Sequence, residues 1–155
     1  MQVSSKKAFT MIELIFVIVV IGILSAIAIP KLAATRDDAT ITKAIATVGS
    51  VRSAVATERQ KRILKGDFTH PITTLHTSGT AFDVFNADKD GIQNRVLEYS
   101  IPDCTSLGKS KGCWQPSGNT YRYNMPTSGY VDFNVSGGRF ECTNPSDANC
   151  QLLTR

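Results

Sequence analysis

Between Phe9 and Ile29 the chain has one charged residue, Glu13, and no proline. A stretch this poor in charge cannot be the solvated face of an ordinary surface helix. Cysteine is missing from the first 103 positions, and histidine is limited to His70 and His76, in a Thr-rich stretch with no adjacent nucleophile or acid. No phosphate loop, glycine-rich dinucleotide turn or catalytic triad is present, which argues against an enzyme and against a motor that hydrolyses its own nucleotide. Charge of one sign is also scarce: 17 Lys and Arg against 13 Asp and Glu leave +4, and two of the positive charges are Lys6 and Lys7. A nucleic-acid-binding face needs clustered cations, so that partner has no support here. The one basic cluster, Arg59, Lys61, Arg62 and Lys65, falls at the end of a predicted helix. There it reads as a solvated face that complements the negative end of the helix dipole, with filament packing or surface contact to DNA as the lesser alternatives.

What is present is an apolar run of membrane length. The 21 residues from Phe9 to Ile29 would span ~30 Å as a helix, the thickness of a bilayer core. Lys6 and Lys7 ahead of the run favour a cytoplasmic N-terminus, with the rest of the chain on the far side. All four cysteines, Cys104, Cys113, Cys142 and Cys150, lie in the last third, and an even number fits an oxidising compartment. Topology and redox chemistry agree that the C-terminal part is extracytoplasmic. The parts of a cleaved secretory signal are also there, with Ala26-x-Ala28 as its cleavage site. Glu13 within the apolar core, and the length of that core, count against it. An unpaired carboxylate in hydrocarbon costs on the order of 3 kcal/mol, so Glu13 calls for a partner.

With 155 residues the chain holds one compact domain beside this run. Past Pro30, Ile41, Ala44, Ile45, Val48, Val51 and Val55 recur mostly three and four apart, an apolar stripe opposite Arg36, Asp37, Lys43, Arg52 and Arg59. The amphipathic helix is predicted over 31–65, ending before Gly66, and joined to the apolar run it makes a helix of ~80 Å. Pro30 is expected to bend or open it locally. Gly22, in the middle of the apolar run, either admits a close neighbour or loosens the helix. Gly66 to Gly91 reads as a connecting loop with a short helix or strand at 80–84. Beyond it the period becomes two, with strands predicted at 95–101, 120–124, 130–135 and 139–142 and turns at 125–129 and 136–138. The predicted fold class is α+β: a long N-terminal helix packed on a small antiparallel β-sheet. Trp114 suits the core or a subunit contact, whereas Tyr121, Tyr123 and Tyr130 fit either the helix side or solvent.

The segment Lys7-Ala8-Phe9-Thr10-Met11-Ile12-Glu13-Leu14, followed by the apolar run and Pro30, resembles the N-terminus of type IV pilins and type II secretion pseudopilins. The resemblance covers about residues 5 to 35. It implies a leader of residues 1–8, a membrane and assembly helix over 9–30 and a head domain over 31–155. It implies cutting between Ala8 and Phe9 by a prepilin peptidase, which also methylates the new amino group. Ala8 departs from the glycine that the family usually has before the cut. In the family the glutamate neutralises the amino group of a neighbouring subunit, which assigns that role to Glu13 against a second Phe9. The alternative is that Glu13 reaches the cytoplasmic headgroups.

The same resemblance places the chain in a bacterial inner membrane before assembly. It then implies a helical homo-oligomer, either an extracellular pilus (adhesion, motility or DNA uptake) or a short periplasmic pseudopilus. An inner-membrane assembly platform, minor pilins and partner ATPases would serve it. Cys142 and Cys150 bound a loop that resembles the disulfide-closed surface region of many pilins. Sequential pairing with Cys104–Cys113 is the simplest of three connectivities, and all three stay open. The spacings of eight and seven intervening residues disfavour zinc. Asn86-Ala-Asp88-Lys-Asp90-Gly91 matches the opening of a calcium loop, but the closing position holds Leu97, with Glu98 one residue late. A polar turn without metal and a calcium-binding turn are both compatible with it.

Overall fold

A computed structural model of the chain describes residues 9–77 and 80–155. The leader 1–8, with Lys6, Lys7 and Ala8, lies outside the described residues. The chain divides into two units, one ending at Arg36 and one spanning Asp37–Arg155. Helix α1, Met11–Leu64, contributes to both.

In the first unit α1 is assigned as helix through Pro30. Its start is fixed by Thr10: the Thr10 N–H and hydroxyl both donate to Glu13 Oε2 at 2.8 Å, and Glu13 N–H donates back to the Thr10 hydroxyl at 3.3 Å. This reciprocal arrangement is a capping box, which satisfies backbone donors that a helix start leaves open. The large apolar side chains from Phe9 to Leu32 are exposed, from 89 % at Phe9 to 36 % at Val20.

In the second unit the predicted stripe is the packing face. Ala44, Val48, Val51 and Val55 are buried, and Ile41 and Ile45 pack at its edge. The helix ends as a Schellman motif. Gly66, at φ 69°, donates to Ile63 O, and Asp67 donates to Arg62 O. Glycine is the residue that takes this left-handed position without steric cost.

After α1 come β1, Thr80–Ala81, and β2, Ile101–Pro102, which pair as a two-stranded ribbon. The main sheet is an antiparallel meander of β3, Cys113–Ser117; β4, Thr120–Asn124; β5, Tyr130–Ser136; and β6, Arg139–Cys142, in that order. Along β5, Val131, Phe133 and Val135 are buried and alternate with less buried residues, as the period of two requires. Gly137 and Gly138, both at positive φ, close the β5–β6 hairpin as a two-residue turn. Helix α2, Ala148–Leu153, is capped by the Asp147 carboxylate, which accepts from Asn149 and Cys150 N–H.

The core is aromatic. Phe82 stacks on Tyr121 at 5.1 Å and meets Trp114 and Phe140 edge-on at 5.0 and 5.6 Å. Phe82 has φ 58° and is fully buried, a backbone state that a bulky residue keeps only where packing on several sides demands it.

Three sequence expectations need correction. Residues 95–101 are not a strand: Val84 and Arg95 form an isolated bridge, and only Ile101 joins β2. Val96 and Leu97 are adjacent apolar residues that turn inward together, so the period of two was not there. Strand β3 was not anticipated, because Pro116 interrupts its pattern; it forms at the sheet edge, where a missing donor is tolerated. Arg62 is not on a solvated face. It is 3 % exposed, and its guanidinium donates to Glu58, to His70 O and to Asn86 O.

Candidate assembly site

Glu13 stands at the third position of α1, one turn from Phe9. Both Thr10 donors converge on Oε2, and Oε1 accepts no hydrogen bond from the described residues. The carboxylate is therefore oriented within its own chain and retains one oxygen for a donor from elsewhere. The bond from Thr10 N–H uses the Phe9–Thr10 peptide, so a cut before Phe9 leaves the cap intact. Sequence reasoning passed over this role, although Thr-x-x-Glu at the head of an apolar helix is its signature.

Around Glu13, none of the most apolar 18-residue window of α1 is buried in the single chain. A contiguous apolar surface of this extent marks a membrane or protein interface. A Cβ built on Gly22 would meet nothing within 4 Å, so no packing inside the chain calls for glycine there. Its bare backbone is a place where a second helix could approach closely. Pro30 lies within α1, and its ring removes one backbone donor.

The cysteines are joined sequentially. Cys104 pairs with Cys113 and Cys142 with Cys150, with Cα separations of 5.2 and 6.3 Å. The first bridge closes the loop ahead of β3, and the second ties the end of β6 to α2. Of the aromatic residues singled out, Trp114, Tyr121 and Tyr123 are core, whereas Tyr130 is exposed beneath the Arg122 guanidinium, 3.9 Å from its ring centroid. Burial pushes the Tyr121 and Tyr123 hydroxyls up to about 12. His76 Nδ1 lies 2.9 Å from the Tyr121 hydroxyl, and His70 Nδ1 lies 3.0 Å from Asp67 Oδ1.

The 86–91 segment folds as a polar clasp on the end of α1. Asp88 is buried: Oδ2 accepts from Lys65 Nζ at 2.8 Å, and Oδ1 accepts from the Asp90 and Ile92 N–H groups. Lys65 also lies 3.7 Å from Asp90. The Lys65 bond, helped by the backbone donors, holds the Asp88 carboxyl down at about 2. Asn86 turns elsewhere, its Oδ1 accepting from Thr73 and Thr74 N–H. Two of the oxygen ligands anticipated for calcium, those of Asn86 and Asp88, thus engage protein donors, whereas the half-exposed Asp90 carboxylate only neighbours the Lys65 ammonium. Among the described residues no group of three His, Cys, Asp or Glu is arranged to hold a metal.

Residues 3–29 match the family model of the prokaryotic N-terminal methylation motif. That motif spans most of the apolar run and the segment whose residues resemble type IV pilins. A stretch of 50 residues is 52 % identical to the type IV narrow pilus major component of Thermus thermophilus, covering 32 % of this chain and 43 % of that one. The chain thus matches less than half the length of that curated relative. No solved structure matches it. The matched methylation motif contains the capping box, Glu13 and Gly22, and it ends one residue before Pro30.

Proposed function

We propose that this chain is a pilin, a structural subunit that polymerises into a type IV pilus after its leader is removed. The observation that carries the proposal is the first unit itself: an apolar helix with no tertiary burial, headed by one oriented carboxylate with a free oxygen. Before assembly, lipid covers the apolar side chains. In the filament, neighbouring helices replace the lipid, and Glu13 takes the ammonium of a neighbouring Phe9. Apolar packing has no preferred register, whereas this pair does, because a displaced subunit would leave both charges buried and bare, at about 3–5 kcal/mol.

A prepilin peptidase would cut between Ala8 and Phe9, and an inner-membrane platform with its ATPase would drive insertion, since the chain carries no phosphate loop. A pilus is favoured over a secretion pseudopilus by the cysteine-closed C-terminal loop, which resembles the disulfide-bounded surface region of many pilins. The test is electron microscopy of material sheared from cells that make the chain, with mass spectrometry of its N-terminus. Fibres whose subunits begin at methylated Phe9 are expected. A chain found only in the membrane, or beginning elsewhere, overturns the proposal.

A further inference from the structure

The two flanks of α1 in the second unit differ. On one flank Lys43 and Thr47 border Ile101 and Trp114. On the other, Arg52, Ala56, Arg59 and Ile63 border residues 138–141 of the β5–β6 hairpin and leave an open groove of about 480 Å³. This groove carries an excess of positive charge. It holds the guanidinium groups of Arg52, Arg59 and Arg139 against one carboxylate, Glu141.

These cations are largely uncommitted. Arg52 donates only through Nε, to Phe140 O at 3.2 Å, and its terminal nitrogens have no partner among the described residues. Arg139 approaches Glu141 at 3.6 Å on the open surface. Arg59 has no side-chain partner among the described residues. It lies along the hairpin where Gly138 has no side chain: a Cβ there would come within 2.9 Å of Arg59 Cδ. Ala56 and the half-exposed Ile63 add an apolar wall. A groove of this kind suits an aromatic group that ends in, or sits beside, a carboxylate.

The second unit presents such a group next to Ile101, which borders the Lys43 flank opposite the groove. Just ahead of β2, Glu98 and Tyr99 project from the surface, with Tyr99 86 % exposed. Arg95 Nη1 holds the Glu98 carbonyl at 3.1 Å and so fixes the loop, whereas the Glu98 carboxylate has no partner among the described residues.

We propose that the Glu98–Tyr99 projection of one copy docks into the Arg52–Arg59–Arg139 groove of the next. The Glu98 carboxylate pairs with Arg59, and the Tyr99 ring lies against a guanidinium and Ile63. Because the two surfaces occupy opposite flanks of α1, the contact is head-to-tail. A head-to-tail contact that does not close into a ring extends without limit, as a filament requires. The inference rests on the filament reading above and adds to it a specific interface between head domains.

The test uses the full chain in cells that display fibres. Arg59→Glu and Glu98→Arg are each expected to lower sheared fibre yield at least about tenfold, since like charges then face each other. The combined Arg59→Glu/Glu98→Arg variant is expected to recover to within about threefold of the unmodified chain. Fibres of the Arg59→Lys variant, treated with a zero-length carbodiimide, should yield a peptide that joins position 59 to Glu98. Position 59 and Glu98 lie on opposite flanks within one chain, so that link must run between subunits. Unmodified fibre yield in both reversals, or fibres of Arg59→Lys without the 59–98 link, overturns the docking while leaving the filament reading intact. Absence of fibres from the unmodified chain overturns both.

Discussion

The two units of this chain solve opposite problems. The second, Asp37–Arg155, encloses a core in which Tyr121, Phe82 and Phe133 are fully buried. Among its described residues no buried side-chain nitrogen or oxygen lacks a hydrogen bond. The first unit has almost nothing to hide its apolar side chains behind, and its one carboxylate is half-used. A unit of the former kind carries its stability within itself. One of the latter kind acquires it from whatever covers it, which in the proposed function is first lipid and then neighbouring subunits. Unfolding and assembly should therefore respond to different residues, and substitutions can separate them.

The largest effect on the head should come from the aromatic core. Phe133→Ala is expected to lower its unfolding free energy by about 3–5 kcal/mol, read by denaturant titration. Next, Glu58→Leu leaves the buried Arg62 guanidinium without its carboxylate and should cost about 3 kcal/mol. Adding Arg62→Met should restore most of that loss, which shows that the cost was the unpaired charge rather than lost packing.

Opening the C-terminal loop with Cys142→Ser and Cys150→Ser should cost about 2.5 kcal/mol by chain entropy, seen as a lower melting temperature insensitive to reductant at that bridge. The smallest effect is the pH response of the Lys65–Asp88 clasp. The Asp88 pKa is depressed from its ordinary 3.8 to about 2, so its contribution is present above pH 4 and is lost as pH falls toward 2. Lys65 is raised by the same bond, so its contribution is fully present below the ordinary lysine value of 10.5 and is lost as pH rises past it. Asp88→Asn should flatten the acid limb, as followed by tyrosine fluorescence. A fall in head stability from any substitution between Phe9 and Arg36 would break the separation between the units.

The division between the units was partly legible in the residues. The apolar run announced itself through Glu13 alone, and the stripe at Ala44, Val48, Val51 and Val55 gave the face that meets the sheet. The same spacing continues through Glu58 and Arg62, but the charge of Arg62, among basic neighbours, led to a solvated face. Period was the better guide there, because the two charges neutralise each other and Arg62 also finds two carbonyls. Pro116 hid β3, since only position in the sheet makes an edge proline acceptable. Helix α2 is a single capped turn and a half between Asp147 and Thr154, too short for a periodic signal. The pairing of four cysteines is set by tertiary distance, which composition does not encode. At Glu13 the apolar surroundings pointed outward to a neighbouring subunit, and the inward bonds to Thr10 went unread.

Those two roles of Glu13 can be told apart. Glu13→Gln keeps an amide oxygen for the Thr10 donors and removes only the charge. Fibre yield from the full chain, measured beside the mass of its processed N-terminus, is the direct test. The account predicts normal processing at Phe9 with fibre yield lowered about 100-fold, as the loss of about 3 kcal/mol of charge pairing implies. Fibres at the unmodified level from Glu13→Gln would contradict it, and would reduce Glu13 to a helix cap.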